Sequence, residues 1–407
     1  MTMSVLYISY DGLTDTLGES QILSYLTKLS QCNYKFYIVA AEKKRLFEAH
    51  QARISSICEE YNITWIPVTY HKSPPVISTL FDIIKISQAC HEVCKSHNIS
   101  ILHCRGYSPA MIGRSIKKKL NIPYIFDMRG FWPDEKVESG AWSSYPLKII
   151  YKYFKTKERQ LFQDADRIIS LTFTGKKEVK RIASVPGDLV GVIPTCVNFE
   201  IFPTFSDTVR DTVRNDLGIP LDSNVLVYSG SLGGNYKIDI PFSVFAAFQE
   251  LHPESYFLIL SRSGEEVVEN YLIKNNLQSL LLRVRILSVE FNEVHRYLMA
   301  SDVGLIFYGS GFSNLGRSPT KLGEYWASGL PAITFEGIGD VSEIIHKYPG
   351  SGAVSKDNSK EQILKALRNL THSTADRKTL RKFASDYYSL SKGVQFYKDL
   401  YDTLIND

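Results

Sequence analysis

Short apolar segments alternate with helical stretches along the whole 407-residue chain, and the alternation stops once and restarts. The first series covers residues 4–9, 35–40, 63–68, 99–103, 124–127, 167–171 and 190–193. The second covers 224–228, 256–260, 284–287, 303–307, 332–334 and 352–354. Runs this short, separated by helical lengths such as 20–29, 77–97 and 145–162, predict parallel strands joined by crossover helices. Residues 194–205, PTCVNFEIFPTF, have two prolines and no periodicity, and read as a linker. The expected architecture is α/β: two doubly wound, Rossmann-like domains facing each other across a cleft. They occupy residues 1–193 and 206–376, followed by a helical tail at 377–407 with Tyr387, Leu390, Val394, Tyr397 and Leu400 as its apolar stripe. Ligands of such sheets bind outside the carboxyl ends of the strands.

Composition narrows the function classes. No apolar run approaches the roughly 18 residues of a membrane span, and the chain enters a strand at once, without a basic leader, so a cytoplasmic protein is expected. The six cysteines form no CxxC pair and read as reduced thiols. Cys90, Cys94 and His97 share helical spacing with Ile83, Ile86 and Val93, which makes them a core face rather than a zinc site. Charge is uneven: residues 1–200 carry 26 Lys+Arg against 19 Asp+Glu, a surplus of +7, and the remainder carries 21 against 24, or −3. Basic clusters at 114–119 and 148–159 (KIIYKYFKTKER) suit either an anionic surface, such as the inner face of a cell membrane, or a solvated helix face. Nucleic acid is not expected as a partner, because no reading motif accompanies the modest surplus.

The segment SPTKLGEYWASGLPAI, residues 318–333, carries the densest chemistry. Ser318 is expected at N-cap, Pro319 at N1, and Thr320 and Lys321 in the first helical turn. Backbone N–H groups and a lysine at a helix start make an anion site, and Glu324 one turn later can accept sugar hydroxyls. Gly329 stops the helix before a short buried strand.

This segment resembles the nucleotide-sugar signature of GT-B-fold glycosyltransferases of family four, roughly SPxKxxEYxAxGxP. The resemblance implies that Glu324 binds the donor ribose; where the family places a second glutamate, this chain has Gly316. It also gives meaning to the turn after the first strand of the second domain, Gly230-Ser231, followed by Lys237. The family's phosphate pair is an arginine and a lysine; here the lysine is kept as Lys237 and the arginine is Ser231, with Arg262 as a replacement phosphate contact. Val289 falls in the turn resembling the one that reads the base, and Gly18 in a loop resembling the glycine loop beside the donor phosphates. No GxGxxG occurs there, which argues against a dinucleotide enzyme. In YIFDMRGFWPDE, residues 124–135, Asp127 and Arg129 are catalytic candidates, with Lys237 and Lys321 in the second domain. Arg129 stands where many family members have a histidine, and a guanidinium cannot act as a base. Trp132, Asp134 and Glu135, with Arg105 from the preceding strand, are candidate acceptor contacts on an exposed loop. Asp164-Ala165-Asp166 is rejected as a metal-binding DxD because a helix end, not a strand, precedes it.

The resemblance implies a retaining glycosyltransferase using a nucleoside-diphosphate-sugar, with UDP or GDP as carrier, and needing no metal and no cofactor. The acceptor would be a saccharide or a polyprenyl-diphosphate-linked saccharide in surface polysaccharide synthesis, and the last helix would cross back to the first domain. A nucleotide-sugar 2-epimerase of the same fold and a non-catalytic sugar-nucleotide-binding subunit remain alternatives.

Overall fold

The computed structural model describes residues 3–74, 76–232, 237–261 and 264–406. Two compact units emerge: Met1–Pro194 with Leu315–Arg317 and Leu390–Asp407, and Thr195–Asn314 with Ser318–Ser389. The expected tail is therefore divided. Helix Arg377–Tyr388 belongs to the second unit and helix Leu390–Asn406 to the first.

The first unit has seven parallel strands: β1 Met3–Ser9, β2 Tyr34–Glu42, β3 Thr64–Thr69, β4 Ile101–Arg105, β5 Tyr124–Asp127, β6 Arg167–Ser170 and β7 Val190–Val192. Their order is β3-β2-β1-β4-β5-β6-β7. β1, β2, β4 and β5 are buried almost throughout, as parallel strands covered on both faces must be. The order moves one way from β1 to β3 and then reverses. Right-handed crossovers accordingly send the early and later helices to opposite faces. Helices Ile77–Ser96, Tyr107–Leu120, Tyr145–Asp164 and Phe173–Ala183 form one layer, each touching the next. On the other face, helix Leu390–Asn406 packs against Ser24–Ser30.

The second unit repeats the plan with six parallel strands: β8 Val225–Ser229, β9 Tyr256–Leu260, β10 Val284–Leu287, β11 Val303–Leu305, β12 Ala332–Phe335 and β13 Gly352–Ser355, in the order β10-β9-β8-β11-β12-β13. Trp326, Tyr228, Tyr325 and Tyr388 are its largest fully buried aromatics. Each sheet reverses direction once, at β1/β4 and at β8/β11, and those switch points are where ligands of doubly wound sheets bind. No helix of the described residues is long and apolar enough to cross a membrane.

Two local expectations change. Ser318 is not the helix cap: the helix is Thr320–Ala327, with extended Pro319 at its cap position. The Ser318 hydroxyl instead accepts from the Thr195 N–H at 3.2 Å, and its carbonyl accepts from the Thr195 hydroxyl at 2.8 Å. The expected exposed loop at 132–135 is the start of helix Trp132–Glu138, with Pro133 near its start and Asp134 and Glu135 in the first turn, residue types that favour a helix N-terminus.

Candidate active site

In the first unit the carboxyl ends of β1, β4 and β5 are in register, with Ser9 opposite Arg105 and Arg105 opposite Asp127. This pairing gathers charge in a buried place. Asp127 Oδ2 lies 3.6 Å from Arg129 Nη1, 3.6 Å from His103 Nε2 and 3.9 Å from Arg105 Nη1. It also accepts from the Tyr397 hydroxyl at 3.3 Å. Burial alone would raise the Asp127 pKa, yet Arg129, His103 and Arg105 together hold it down at about 2. Asp127 is therefore an anion at any physiological pH, and burial keeps His103 below the usual histidine range. Arg105 also donates to Asp11 at 3.3 Å. Arg129 adopts φ 56°, a left-handed conformation that turns its side chain back to Asp127, and Gly130 follows at φ 122°. Three members of this cluster escaped the sequence reading. His103 lies inside an apolar strand, and Tyr397 and Tyr401 arrive from the last helix, with Tyr401 hydroxyl 2.6 Å from His103 Nδ1.

The loop after β1 is fastened by another unforeseen residue. Glu42, buried at the end of β2, accepts from the Leu13 N–H at 2.6 Å and from the Thr14 hydroxyl at 2.5 Å. Its only sequence signal is an acid closing an apolar strand. Gly18 sits in helical conformation directly on Gly12 and Leu13, where a Cβ would collide with the Gly12 carbonyl. Close packing within the loop explains this glycine.

The acceptor candidates separate. Arg105 belongs to the buried cluster. Trp132 is half-buried in an aromatic stack with Trp142 and Phe154, both at 5.1 Å. Asp134 accepts from the Tyr151 hydroxyl and from Lys155, each at 2.9 Å. Glu135 pairs with Arg317 at 3.1 Å. The Leu315–Arg317 segment is held to this unit because the Thr172 hydroxyl donates to the Leu315 carbonyl at 2.6 Å. A Cβ on Gly316 would stand 3.0 Å from Gly130 Cα and 3.1 Å from the Phe131 ring. Glycine fits this seam, and a glutamate there would force it open.

In the second unit, helix Thr320–Ala327 lies across the β8/β11 switch. Its Tyr325 hydroxyl accepts from the Ser229 N–H and donates to the Leu305 carbonyl, each at 3.2 Å, so one side chain ties the helix to both strand ends. Gly304 in β11 leaves room for that ring. One turn earlier, Lys321 is buried with its ammonium 5.1 Å from the Tyr228 ring and 5.6 Å from the Tyr308 ring. Gly230, at φ 142°, faces it: a Cβ there would come within 2.8 Å of Lys321 Cε and 2.9 Å of Nζ. Tyr228 braces the turn by donating to the Ser231 carbonyl at 2.7 Å. Glu324 is buried on the same helix, and burial drives its pKa up to about 7 against the opposing pull of Lys321. The structure thus brings Gly230, Ser231, Ser318, Pro319, Thr320, Lys321 and Glu324 to one strand-end region. Lys237 is exposed just before helix Asp239–Leu251, and Val289 follows β10 at the sheet edge. Arg262 lies outside the described residues.

Comparison with known proteins agrees with this architecture. Residues 18–201 match the Glycosyltransferase Family 4 profile, and residues 209–387 match Glycosyl transferases group 1. A search of curated proteins finds no match. Among solved structures, a glycosyltransferase from Rickettsia africae ESF-5 is similar over 100% of both chains at 14% identity, with TM-score 0.74. Sucrose-phosphate synthase from Thermosynechococcus elongatus is similar over 99% of both chains at 13% identity, with TM-score 0.72. The Anabaena protein HepE in complex with UDP and glucose is similar over 98% of this chain and 100% of its own, at 13% identity and TM-score 0.68. At such identities the structural likeness speaks for the fold, while the two profiles together span most of the chain. The chain is a GT-B glycosyltransferase of the family-4 type, with a family-4 amino-terminal domain and a group-1 carboxyl-terminal domain.

Proposed function

We propose that the protein moves a sugar from a nucleoside-diphosphate-sugar to a saccharide or polyprenyl-diphosphate-linked saccharide, retaining anomeric configuration and using no metal ion. The observation that carries this reading is Lys321 held against Gly230 at the β8 end, with the buried Glu324 one turn along the same helix. A diphosphate entering over the glycine turn meets the Lys321 ammonium and the first N–H groups of helix Thr320–Ala327. The exposed Lys237 adds a second cation to the departing diphosphate. Glu324 accepts from the ribose hydroxyls, which compensate the burial of its charge. UDP is the favoured carrier, since the similar Anabaena protein was solved with UDP.

We assign no nucleophile to the first unit. Asp127 is buried and bracketed by Arg129 and Arg105, so it is poorly placed to form a bond to sugar. Attack from the same face, assisted by the leaving phosphate, is the reaction course this arrangement favours. Surface polysaccharide assembly is the setting we assign.

The test is turnover of UDP-glucose and GDP-mannose by pure protein in excess EDTA, with the product anomer read by NMR. Retention with activity surviving the chelator is expected. An inverted product, a strict demand for added magnesium or manganese, or a 2-epimerised sugar with no glycoside would overturn the reading.

A further inference from the structure

The first unit's outer helix layer carries a surface that the reaction does not use. Helix Ile77–Ser96 has two apolar faces. Ile86, Cys90 and Val93 are buried toward the sheet, as an amphipathic helix requires. Ile77, Leu80, Phe81 and Ile84, at spacings of three and four residues, instead point outward with exposures of 66%, 57%, 46% and 55%. A lone exposed leucine needs no explanation, but four in one stripe mark a contact surface. The charges around the stripe are one-sided. Asp82 is buried and takes the His71 N–H at 2.9 Å and the Tyr10 hydroxyl at 3.1 Å. Between residues 76 and 88 the outward face carries no acid, and its one charged group is Lys85, lying over the Phe81 ring at 5.5 Å.

Two helices along in the same layer, Tyr145–Asp164 presents a matching face. Lys148, Lys152 and Arg159 are exposed with Ile149 and Tyr153, while Glu158 is buried against Tyr107 and paired with Lys155. Both helices run back from strand carboxyl ends, so their amino-terminal halves lie at the same edge of the sheet as Arg105 and Asp127.

We infer that this layer is the face by which the protein lies on an anionic lipid bilayer: the Ile77–Leu80–Phe81–Ile84 ridge enters the acyl boundary while Lys148, Lys152 and Arg159 meet the headgroups. Side chains of this kind sink about 5–10 Å into the interface, and basic residues add attraction that decays over a Debye length. The bilayer is favoured over a protein partner because the apolar ridge and the acid-free cations share one layer, the combination an anionic membrane rewards. The inference deepens the reading of a lipid-linked acceptor. Its test uses neither donor nor acceptor, so it can fail while transfer stands.

Phe81→Trp on the full chain, mixed with vesicles of phosphatidylglycerol and brominated phosphatidylcholine, reports insertion directly. Bromine quenching of the introduced indole and a blue shift of its emission are expected. Co-sedimentation should fall about a hundredfold for Lys148→Gln/Lys152→Gln/Arg159→Gln. For Ile77→Ser/Leu80→Ser/Ile84→Ser, binding should fall by a similar factor and the remainder should be abolished by salt. All these positions are exposed, and circular dichroism is the check that each variant is folded. An introduced indole that stays unquenched, equal binding to purely neutral vesicles, or a ridge variant that turns a dimer into a monomer while binding vesicles unchanged would overturn the inference.

Discussion

The two strand-end clusters use charge in opposite ways. In the first unit, Asp127 is bracketed by Arg105 and Arg129, and its pKa lies below the ordinary carboxylate value. The aspartate there is balanced by fixed cationic neighbours, although Asp127 Oδ1, Arg105 Nη1 and His103 Nε2 are buried without a hydrogen bond. In the second unit, Glu324 is buried on the same helix as Lys321, and its pKa lies above the ordinary value. That carboxylate is held at a cost, which on our proposal the donor's hydroxyls relieve. One cluster has its carboxylate neutralised by its own side chains; the other, on our proposal, is completed by its substrate.

The sharpest way to break this contrast is Asp127→Asn. Removing the anion takes the carboxylate from beside the part-buried Arg129 and leaves the buried Arg105 with Asp11 alone, and the expected loss of stability is about 3 kcal/mol in urea unfolding. A loss below about 1 kcal/mol would mean that the cluster is not charge-balanced framework.

Lys321→Ala should act on the reaction more than on the fold. Losing one preorganised cation at a leaving group lowers kcat by about a hundred- to a thousandfold, and UDP titration should show weaker binding. Unchanged kcat with lower thermal stability would make Lys321 a packing residue and erase the distinction between the units.

Glu324 gives the contrast a pH signature. With its pKa raised from 4.5 to about 7, the folded chain keeps a proton that the unfolded chain releases. The resulting stability is full below pH 4.5 and is lost as pH climbs to about 7. Glu324→Gln should therefore stabilise the ligand-free protein by about 3 kcal/mol at pH 8 and leave it nearly unchanged at pH 4.5. The same change should weaken UDP binding. Parallel pH–stability curves for the two proteins would show that the burial carries no cost.

The smallest effect is expected at Ser318. Since its hydroxyl serves Thr195 and not the helix start, Ser318→Ala should cost about 1 kcal/mol of stability and leave nucleotide affinity intact.

What could be read in advance follows how local each cause is. The strands were legible because apolar runs bounded by turn residues are local signals, and the observed limits of β5, β9 and β10 coincide with the expected ones. The placing of Lys321 and Glu324 one turn apart on a single helix was legible because that signal is local too. His103, Glu42 and Tyr401 were not: their roles arise from partners as far as 298 residues away. Ser318 shows the same limit on a small scale, because a distant Thr195 outcompeted the helix end for its hydroxyl. Asp134 and Trp132 looked like ligand groups because a short acidic-aromatic stretch does not reveal that Tyr151, Lys155 and Phe154 will cover it.

The helix Leu390–Asn406 ties the first unit to a segment made long after its strands. An amino-terminal domain ordinarily folds while the ribosome is still making the rest of the chain. Here Tyr397 and Tyr401 close over Asp127 and His103, 270 and 298 residues behind them. Until that helix has been made, the first sheet waits with its aspartate and histidine uncovered on that side. A stop ahead of Tyr397 would therefore damage the domain made first, and the nascent chain has a long interval in which a chaperone is useful.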